Sequence, residues 1–112
     1  MNSTYPKNAF TGQLTAYDFE KLTVTNGAVI TPTLSKLTAA NKQPCVRAWI
    51  TVEDADLRYT VHKADPSATS GHRGYQDGTI KIQGANNIAA LRMIAITATN
   101  ATVYITYERY EE

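Results

Sequence analysis

The sequence predicts an all-β domain, a small antiparallel β-sandwich of about seven strands that is either immunoglobulin-like or jelly-roll-like. Two observations predict it. Apolar and polar residues alternate over several short segments, which is the pattern of half-buried strands. Gly, Pro, Asn and Asp recur about every 8–12 residues between those segments. A third observation supports them, because no segment keeps a helical period long enough for a stable helix.

The chain has 112 residues, a length that fits one domain. Residues 1–16 mix Asn, Ser, Thr, Pro and Gly with Tyr5 and Phe10 and have no strand or helix period. They predict an extended N-terminal arm, followed by the sandwich at 17–112. Two interpretations of the arm stay open: a disordered terminus, or a segment whose aromatic residues dock on a neighbouring subunit.

The first elements follow from turn signals. Residues 17–25 predict a strand, and the dipeptide Asn26-Gly27, typical of tight turns, predicts a hairpin to a short strand at 28–30. Residues 34–44 predict a connection between the two sheets, with room for a single helical turn.

The segment 45–52 has the clearest alternation in the chain. Its predicted inward residues are Val46, Ala48, Ile50 and Val52, and its predicted outward residues are Cys45, Arg47, Trp49 and Thr51. Trp49 is therefore expected on the surface, unless a loop or a partner covers it.

The next strand is predicted to point Leu57, Tyr59 and Val61 inward and Arg58, Thr60 and His62 outward. Residues 64–78 predict a long irregular crossing, because they contain Pro and several Gly, Ser and Thr.

The last third of the chain predicts three more elements. Residues 79–83 predict a strand with Ile80 and Ile82 inward. Residues 88–98 predict either a strand buried on both faces or a short helical turn running into a strand. In a final strand, Val103, Ile105 and Tyr107 are predicted to point inward. They alternate with Tyr104, Thr106 and Glu108, which are predicted to point outward.

Charge and cysteine content narrow the function classes. The net charge is +1, from 11 basic and 10 acidic residues without a run of one sign, which argues against a nucleic-acid partner. The single cysteine, Cys45, allows neither an intrachain disulfide nor a thiolate-rich zinc site. No signal peptide or membrane-spanning stretch is visible, so we expect a chain made in a cytoplasm, with no membrane partner.

Ser70, His72 and Asp77 have the residue types of a nucleophilic triad. A triad also needs spatial convergence and an oxyanion hole, which one short loop rarely supplies, and no G-x-S-x-G elbow is present. We therefore expect no catalytic residues and no enzyme activity.

A metal or cofactor site is not expected either. The acidic turn formed by Glu53, Asp54 and Asp56, with Asp65 nearby, matches no EF-hand spacing. The two histidines are too far apart for a metal-site hypothesis. An acidic, solvated turn explains these residues.

Outward aromatic residues allow three interpretations. They are Trp49, Tyr75, Tyr104 and Tyr110. They are suited to cross-strand pairing on a sheet, to anchoring a protein interface, or to stacking on sugar rings.

Residues 57–84 and the segment that follows carry a family resemblance. Their features are Arg58-Tyr59, Asp65-Pro66-Ser67, Gly71-His72, Gly78-Thr79-Ile80, an Ile-rich stretch at 94–96 and the closing Tyr107-Glu108. In this pattern, over roughly residues 45–108, the chain resembles small structural proteins of tailed bacteriophages. One departure is Lys63-Ala64, where many such sequences have an Asp-Gly turn, so the crossing is expected to be looser.

The resemblance implies a virion component that acts by protein–protein assembly, as a capsid decoration or minor head protein or as a head–tail or tail component. Its implied partners are other virion proteins, capsid or tail subunits, with several copies forming a homo-oligomer in the particle. The implied location is the virion, after synthesis in the host cytoplasm. The candidate interface residues are Tyr5, Phe10, Trp49, Arg58, His62, His72, Tyr75, Tyr104 and Tyr110.

A carbohydrate-binding or receptor-binding β-sandwich module is the alternative. The Arg-aromatic strand followed by Asp-Pro-Ser also resembles immunoglobulin-like modules appended to glycan-active enzymes. That likeness supports the sandwich fold, and fold-level likeness does not transfer activity.

Overall fold

The computed structural model describes residues 13–111. These residues form seven strands and two short helices. The elements, in chain order, are β1 (Leu14–Val24), a 3-10 helix (Leu34–Leu37), β2 (Arg47–Glu53), β3 (Leu57–Thr60), β4 (His72–Gly74), β5 (Thr79–Gln83), α1 (Ala85–Ala89), β6 (Arg92–Ala95) and β7 (Ala101–Tyr110). The prediction of an all-β fold with about seven strands is confirmed.

The strands form two antiparallel sheets that enclose one core. The first sheet has the order β1-β7-β2-β5 and the second has the order β4-β3-β6. All the ladders are antiparallel, so each sheet can bury one face and leave the other to solvent.

The strand order is that of a jelly roll with one strand reduced to a single residue. The first strand pairs with the last (β1 with β7), β2 pairs with β5, and β3 pairs with β4. Ile30 forms an isolated bridge with Met93 in β6, with two backbone hydrogen bonds of 2.8 and 2.9 Å. This bridge takes the place of the missing strand. Between the two predicted forms, the structure therefore has jelly-roll pairing.

The core consists of the inward residues of both sheets. On β2 these are Ala48, Ile50 and Val52, and their neighbours Arg47, Trp49, Thr51 and Glu53 point away. The alternation predicted from the sequence is confirmed for this strand. The large side chains with the least exposure include Tyr107, Ile50, Leu57, Ile88, Leu91, Met93 and Ile105.

The first strand begins earlier than predicted. β1 starts at Leu14 rather than Tyr17, and its pairing with β7 shifts register between Ala16 and Asp18. This bulge adds one residue and disrupts the alternation that the sequence pattern relied on. The rest of the predicted arm, with Tyr5 and Phe10, lies outside the described residues.

The predicted hairpin at Asn26-Gly27 is wrong. Thr25 O accepts the Ala95 N–H at 3.0 Å, and Ile30 pairs with Met93. The chain therefore crosses from the first sheet to the second at this point. The dipeptide favours a tight turn locally, but the hydrogen bonds to β6 decide the path.

Two inward–outward assignments are also wrong. Cys45, predicted outward, is buried, because the alternation fails at Val46: its N–H donates to Glu108 O of β7, while its C=O accepts from the N–H of Gly84, the residue after β5. Thr60, also predicted outward, is buried because the following loop folds over it, and its hydroxyl donates to Ala64 O.

Two later segments refine the prediction. The crossing at 64–78 contains a short strand, β4, that pairs with β3. The alternative of a helical turn running into a strand is confirmed by α1 and β6. Within residues 13–111, no helix has the length and hydrophobicity that a membrane span requires.

Candidate interaction surface

The outer face of the first sheet, the side turned away from the core, is the most distinctive surface of the molecule. It is formed by alternate residues of four strands, which the register aligns in rows across the sheet. One row reads Phe19, Thr106, Trp49 and Lys81. A second row reads Lys21, Tyr104, Thr51 and Thr79. Tyr110 lies at one end of β7 on the same face.

This outer face exposes large aromatic side chains. Phe19 is 63% exposed, Tyr110 46% and Trp49 36%. Phe19 and Trp49 lie on opposite sides of Thr106 in one row, so their rings occupy a common strip of the sheet. An exposed cluster of aromatic residues is the type of surface that protein interfaces use as anchors.

Charged groups surround the Trp49 ring. The Arg47 guanidinium lies 5.2 Å and the Lys81 ammonium 5.4 Å from the ring centroid, within the range of cation–π attraction. The indole Nε1 donates to Glu108 at 3.2 Å, and Glu108 also pairs with Arg47. The ring is therefore held in one orientation before any partner binds.

Phe19 was not among the interface residues predicted from the sequence. The signal was present, because Leu22 and Val24 on the same strand mark the inward parity. After the bulge, the odd-numbered positions of β1 therefore point outward, and Phe19 is one of them. The same parity places Glu20 inside, where an ionisable residue is not expected from an apolar pattern.

Glu20 is the central residue of a buried polar cluster beneath this sheet. It is 9% exposed, and its carboxylate accepts hydrogen bonds from the Tyr107 hydroxyl and from the backbone N–H and hydroxyl of Thr33, the last two at 2.9 and 2.6 Å. Tyr17 donates to Lys36 O at 2.6 Å. These contacts hold residues 32–37 against β1 and β7.

The pKa values of this cluster follow from burial and hydrogen bonding. Burial raises the pKa of Glu20, but the hydrogen bonds from Thr33 and Tyr107 and the nearby Lys36 ammonium lower it, and the net shift is downward. Burial and the adjacent Glu20 carboxylate raise the pKa of Tyr107 far above its ordinary range. The cluster thus stabilises an ionised Glu20 beside a neutral Tyr107.

The predicted interface residues fall into two groups. Trp49, Tyr104 and Tyr110 lie together on the outer face with Phe19. Arg58 and His72 belong to the second sheet, while Tyr75 and His62 lie in loops next to it. The structure therefore does not bring all the predicted residues together.

Several residues of the second group have structural contacts. Arg58 donates to Gly71 O at 3.1 Å and so holds the long crossing in place. The His72 ring packs against Tyr59 at 5.4 Å between centroids. Tyr75 is 63% exposed, with the Arg73 guanidinium 5.5 Å from its ring.

The acidic turn is occupied by contacts within the chain. Asp54 accepts from the Thr102 hydroxyl at 2.6 Å, and Asp56 accepts from Arg73 and from the Gln76 N–H. The Gln76 N–H and then Arg73 lower the pKa of Asp56. In the part of the chain that the structure describes, no group of three His, Cys, Asp or Glu side chains is placed to hold a metal ion.

The sequence matches no protein-family model, and a search of curated proteins also finds no match.

Proposed function

We propose that this chain is a structural protein of a tailed-bacteriophage virion, a capsid decoration or minor head protein or a head–tail or tail component, and that it acts by protein–protein assembly. The observation that carries the proposal is the aromatic outer face of the first sheet, with Phe19 and Tyr110 each about half exposed or more. The sequence resemblance described above supplies the class of particle.

The chemistry of this face favours a protein partner. Aromatic residues contribute large contact areas with few rotatable bonds, and they dominate the binding energy of many interfaces. The Arg47–Glu108 pair and the Lys21 and Lys81 side chains border the aromatic strip. Such a charged border gives register to an interface whose centre is apolar. A net charge of +1 does not oppose packing of several copies.

A glycan-binding or receptor-binding module is the second candidate. Jelly rolls occur in both viral capsid proteins and lectins, so the fold alone does not separate the two. Trp49 is an exposed ring on a rigid strand, as sugar stacking requires. However, two cations already lie close to that ring, and they would have to move before a sugar could stack on the covered side. This arrangement favours the assembly role.

The test uses the phage whose genome encodes the chain. A deletion of the gene is complemented with the natural sequence, with Phe19→Ala or with Tyr75→Ala, and purified particles are analysed by quantitative mass spectrometry. Phe19 and Tyr75 are equally exposed, at 63%, so they form a matched pair. We expect the natural chain and Tyr75→Ala in the particles, and at least about tenfold less of Phe19→Ala, because a lost aromatic anchor costs about 2 kcal/mol or more.

Particles that lack the natural chain would refute the virion role. Equal incorporation of Phe19→Ala and Tyr75→Ala would refute the outer face as the contact surface. A glycan array read with the same three proteins distinguishes the second candidate: specific binding lost in Trp49→Ala, with no incorporation into particles, would establish the glycan-binding module instead.

A further inference from the structure

β5 forms an open edge of the first sheet. It pairs with β2 on one side, and among residues 13–111 no strand pairs with its other side. An open edge exposes backbone N–H and C=O groups to which another extended chain can bond.

The register identifies which residues of β5 face that edge. Val52, on β2, donates to Gly78 O at 3.0 Å and accepts from Asp77, so the even-numbered residues of β2 direct their backbone groups toward β5. Hydrogen-bonded and non-hydrogen-bonded pairs alternate in an antiparallel ladder. The backbones of Ile80 and Ile82 therefore bond to β2, while the backbone N–H and C=O groups of Thr79, Lys81 and Gln83 point to the open side of β5.

Within residues 13–111, almost all of these outward groups lack a hydrogen-bond partner. The exception is Gln83 O, which accepts from the Asn87 side chain at 2.9 Å. The side chains of Thr79, Lys81 and Gln83 are exposed on the outer face, whereas Ile80 and Ile82 are buried. A strand added here would extend both the hydrogen-bonded ladder and the aromatic outer face.

The opposite edge of the same sheet, β1, is protected in ways that β5 is not. β1 contains the bulge near Asp18, and the Asp18 carboxylate accepts the outward Phe19 N–H at 2.8 Å and pairs with Lys36 at 3.0 Å. Bulges and charges that point into the edge are devices that prevent strand addition. The β5 ladder has no register shift.

Lys81 defines the charge of an acceptable partner. It is the middle residue of the three, and within residues 13–111 no carboxylate forms an ion pair with its ammonium, which lies over Trp49. If two copies paired through β5 in register, the two Lys81 side chains would lie directly opposite each other, which is unfavourable. A strand with a carboxylate at that position would be favourable.

We propose that β5 is an acceptor edge for an extended segment of another protein, which pairs antiparallel with Thr79–Gln83 and places an Asp or Glu opposite Lys81. This inference rests on the proposed function only in taking assembly as the purpose of the contact. The donated strand contributes main-chain hydrogen bonds at three positions, and the carboxylate sets its register.

The first experiment tests the edge with two synthetic peptides, acetyl-Ser-Thr-Val-Glu-Val-Thr-Ser-amide and its twin with Lys in place of Glu. Binding is followed by amide chemical shifts in two-dimensional NMR and by the fluorescence of Trp49, the only tryptophan of the chain. We expect shifts centred on Thr79, Lys81 and Gln83, and a preference of about tenfold for the Glu peptide. Lys81→Glu reverses that preference, and Lys81→Arg retains it.

Lys81→Pro is the blocking variant. The Lys81 N–H points away from β2, so proline removes a partner's hydrogen bond without removing one from the ladder, and edge strands tolerate proline at such positions. We expect a folded protein, with the natural chain's spectrum elsewhere, that binds neither peptide. Absence of shifts at the three residues, or a preference for the Glu peptide that persists in Lys81→Glu, would overturn the proposal.

The second experiment separates this inference from the proposed function. Amide hydrogen exchange at Thr79, Lys81 and Gln83 is measured for the isolated chain and for the chain in purified particles. We expect fast exchange in isolation and at least about a hundredfold slower exchange in the particle, as for amides that gain a stable hydrogen bond. A chain that is present in the particle but unprotected at these amides retains its virion role and refutes the acceptor edge.

Discussion

The buried Glu20 cluster gives the sharpest test of the physical reasoning, through the substitution Tyr107→Phe. The Tyr107 hydroxyl is buried and donates to an ionised carboxylate. Hydrogen bonds to charged groups contribute about 1.5–3 kcal/mol. Thr33 still donates two hydrogen bonds to Glu20 after the change, so the carboxylate is not left without partners. We therefore expect a loss of about 2 kcal/mol in the free energy of unfolding at pH 7.

Urea unfolding followed by Trp49 fluorescence measures this loss, with the m-value unchanged. The matched control is Tyr104→Phe, which removes a hydroxyl from a partly buried ring on the outer face and should change stability by less than about 0.5 kcal/mol. A loss for Tyr107→Phe that does not exceed the control would refute the stabilising role of the cluster.

The pH dependence of the same cluster has a definite sign. The folded state lowers the pKa of Glu20. Ionisation of Glu20 therefore stabilises the fold at pH values above the ordinary carboxyl pKa, which is about 4, and this stabilisation is lost as the pH falls through the lower pKa of the folded state. In Glu20→Gln this part of the acid-induced loss should be absent. Unfolding free energies measured between about pH 6 and pH 2.5 for both proteins provide the comparison, and parallel curves would contradict the prediction.

Three further predictions concern other parts of the fold. Burial raises the pKa values of Tyr17 and Tyr107, so the part of the unfolding free energy that depends on their protonation is fully present below about pH 10 and is lost at higher pH. Absorbance titration at 295 nm should show that these two tyrosines ionise only when the chain unfolds. Burial also raises the pKa of the Cys45 thiol, so it should react with a disulfide reagent only after urea unfolds the chain, and rapid labelling of the native protein would contradict its burial. Finally, a Cβ at Gly74 would lie 2.8 Å from a core leucine carbon, whereas one at Gly27 would meet nothing within 4 Å; thermal unfolding should show a loss of about 1–3 kcal/mol for Gly74→Ala and almost none for Gly27→Ala.

The sequence predicted the strands more accurately than their pairing. Alternation is a local property, and it placed Trp49 on the outer face and Ile50 in the core correctly. The pairing of β1 with β7 joins residues more than 75 positions apart, as in Thr23 with Thr102. No local pattern encodes such a pairing, because it depends on how the whole chain closes around the core.

The incorrect predictions have the same origin. Asn26-Gly27 has a strong local turn preference, and hydrogen bonds from the distant β6 override it. Cys45 precedes Val46, where the alternation fails because the Val46 backbone bonds to Glu108 of β7 on one side and to Gly84, just after β5, on the other. On the candidate surface, Trp49, Tyr104 and Tyr110 were predicted from alternation, whereas Phe19 was not, although the unbroken alternation from Phe19 to Val24 sets its direction.

The position of β7 has a consequence for how the protein is made. This last strand lies between β1 and β2 and is the strand that connects them in the first sheet. During synthesis, residues 101–110 emerge after every other strand, so β1 cannot pair within the first sheet until they have been made. Folding of the first sheet therefore depends on contacts between residues that are distant in the sequence. A chain that stops before residue 101 would leave β1 and β2 as unpaired edges, and cellular proteases would be expected to remove it.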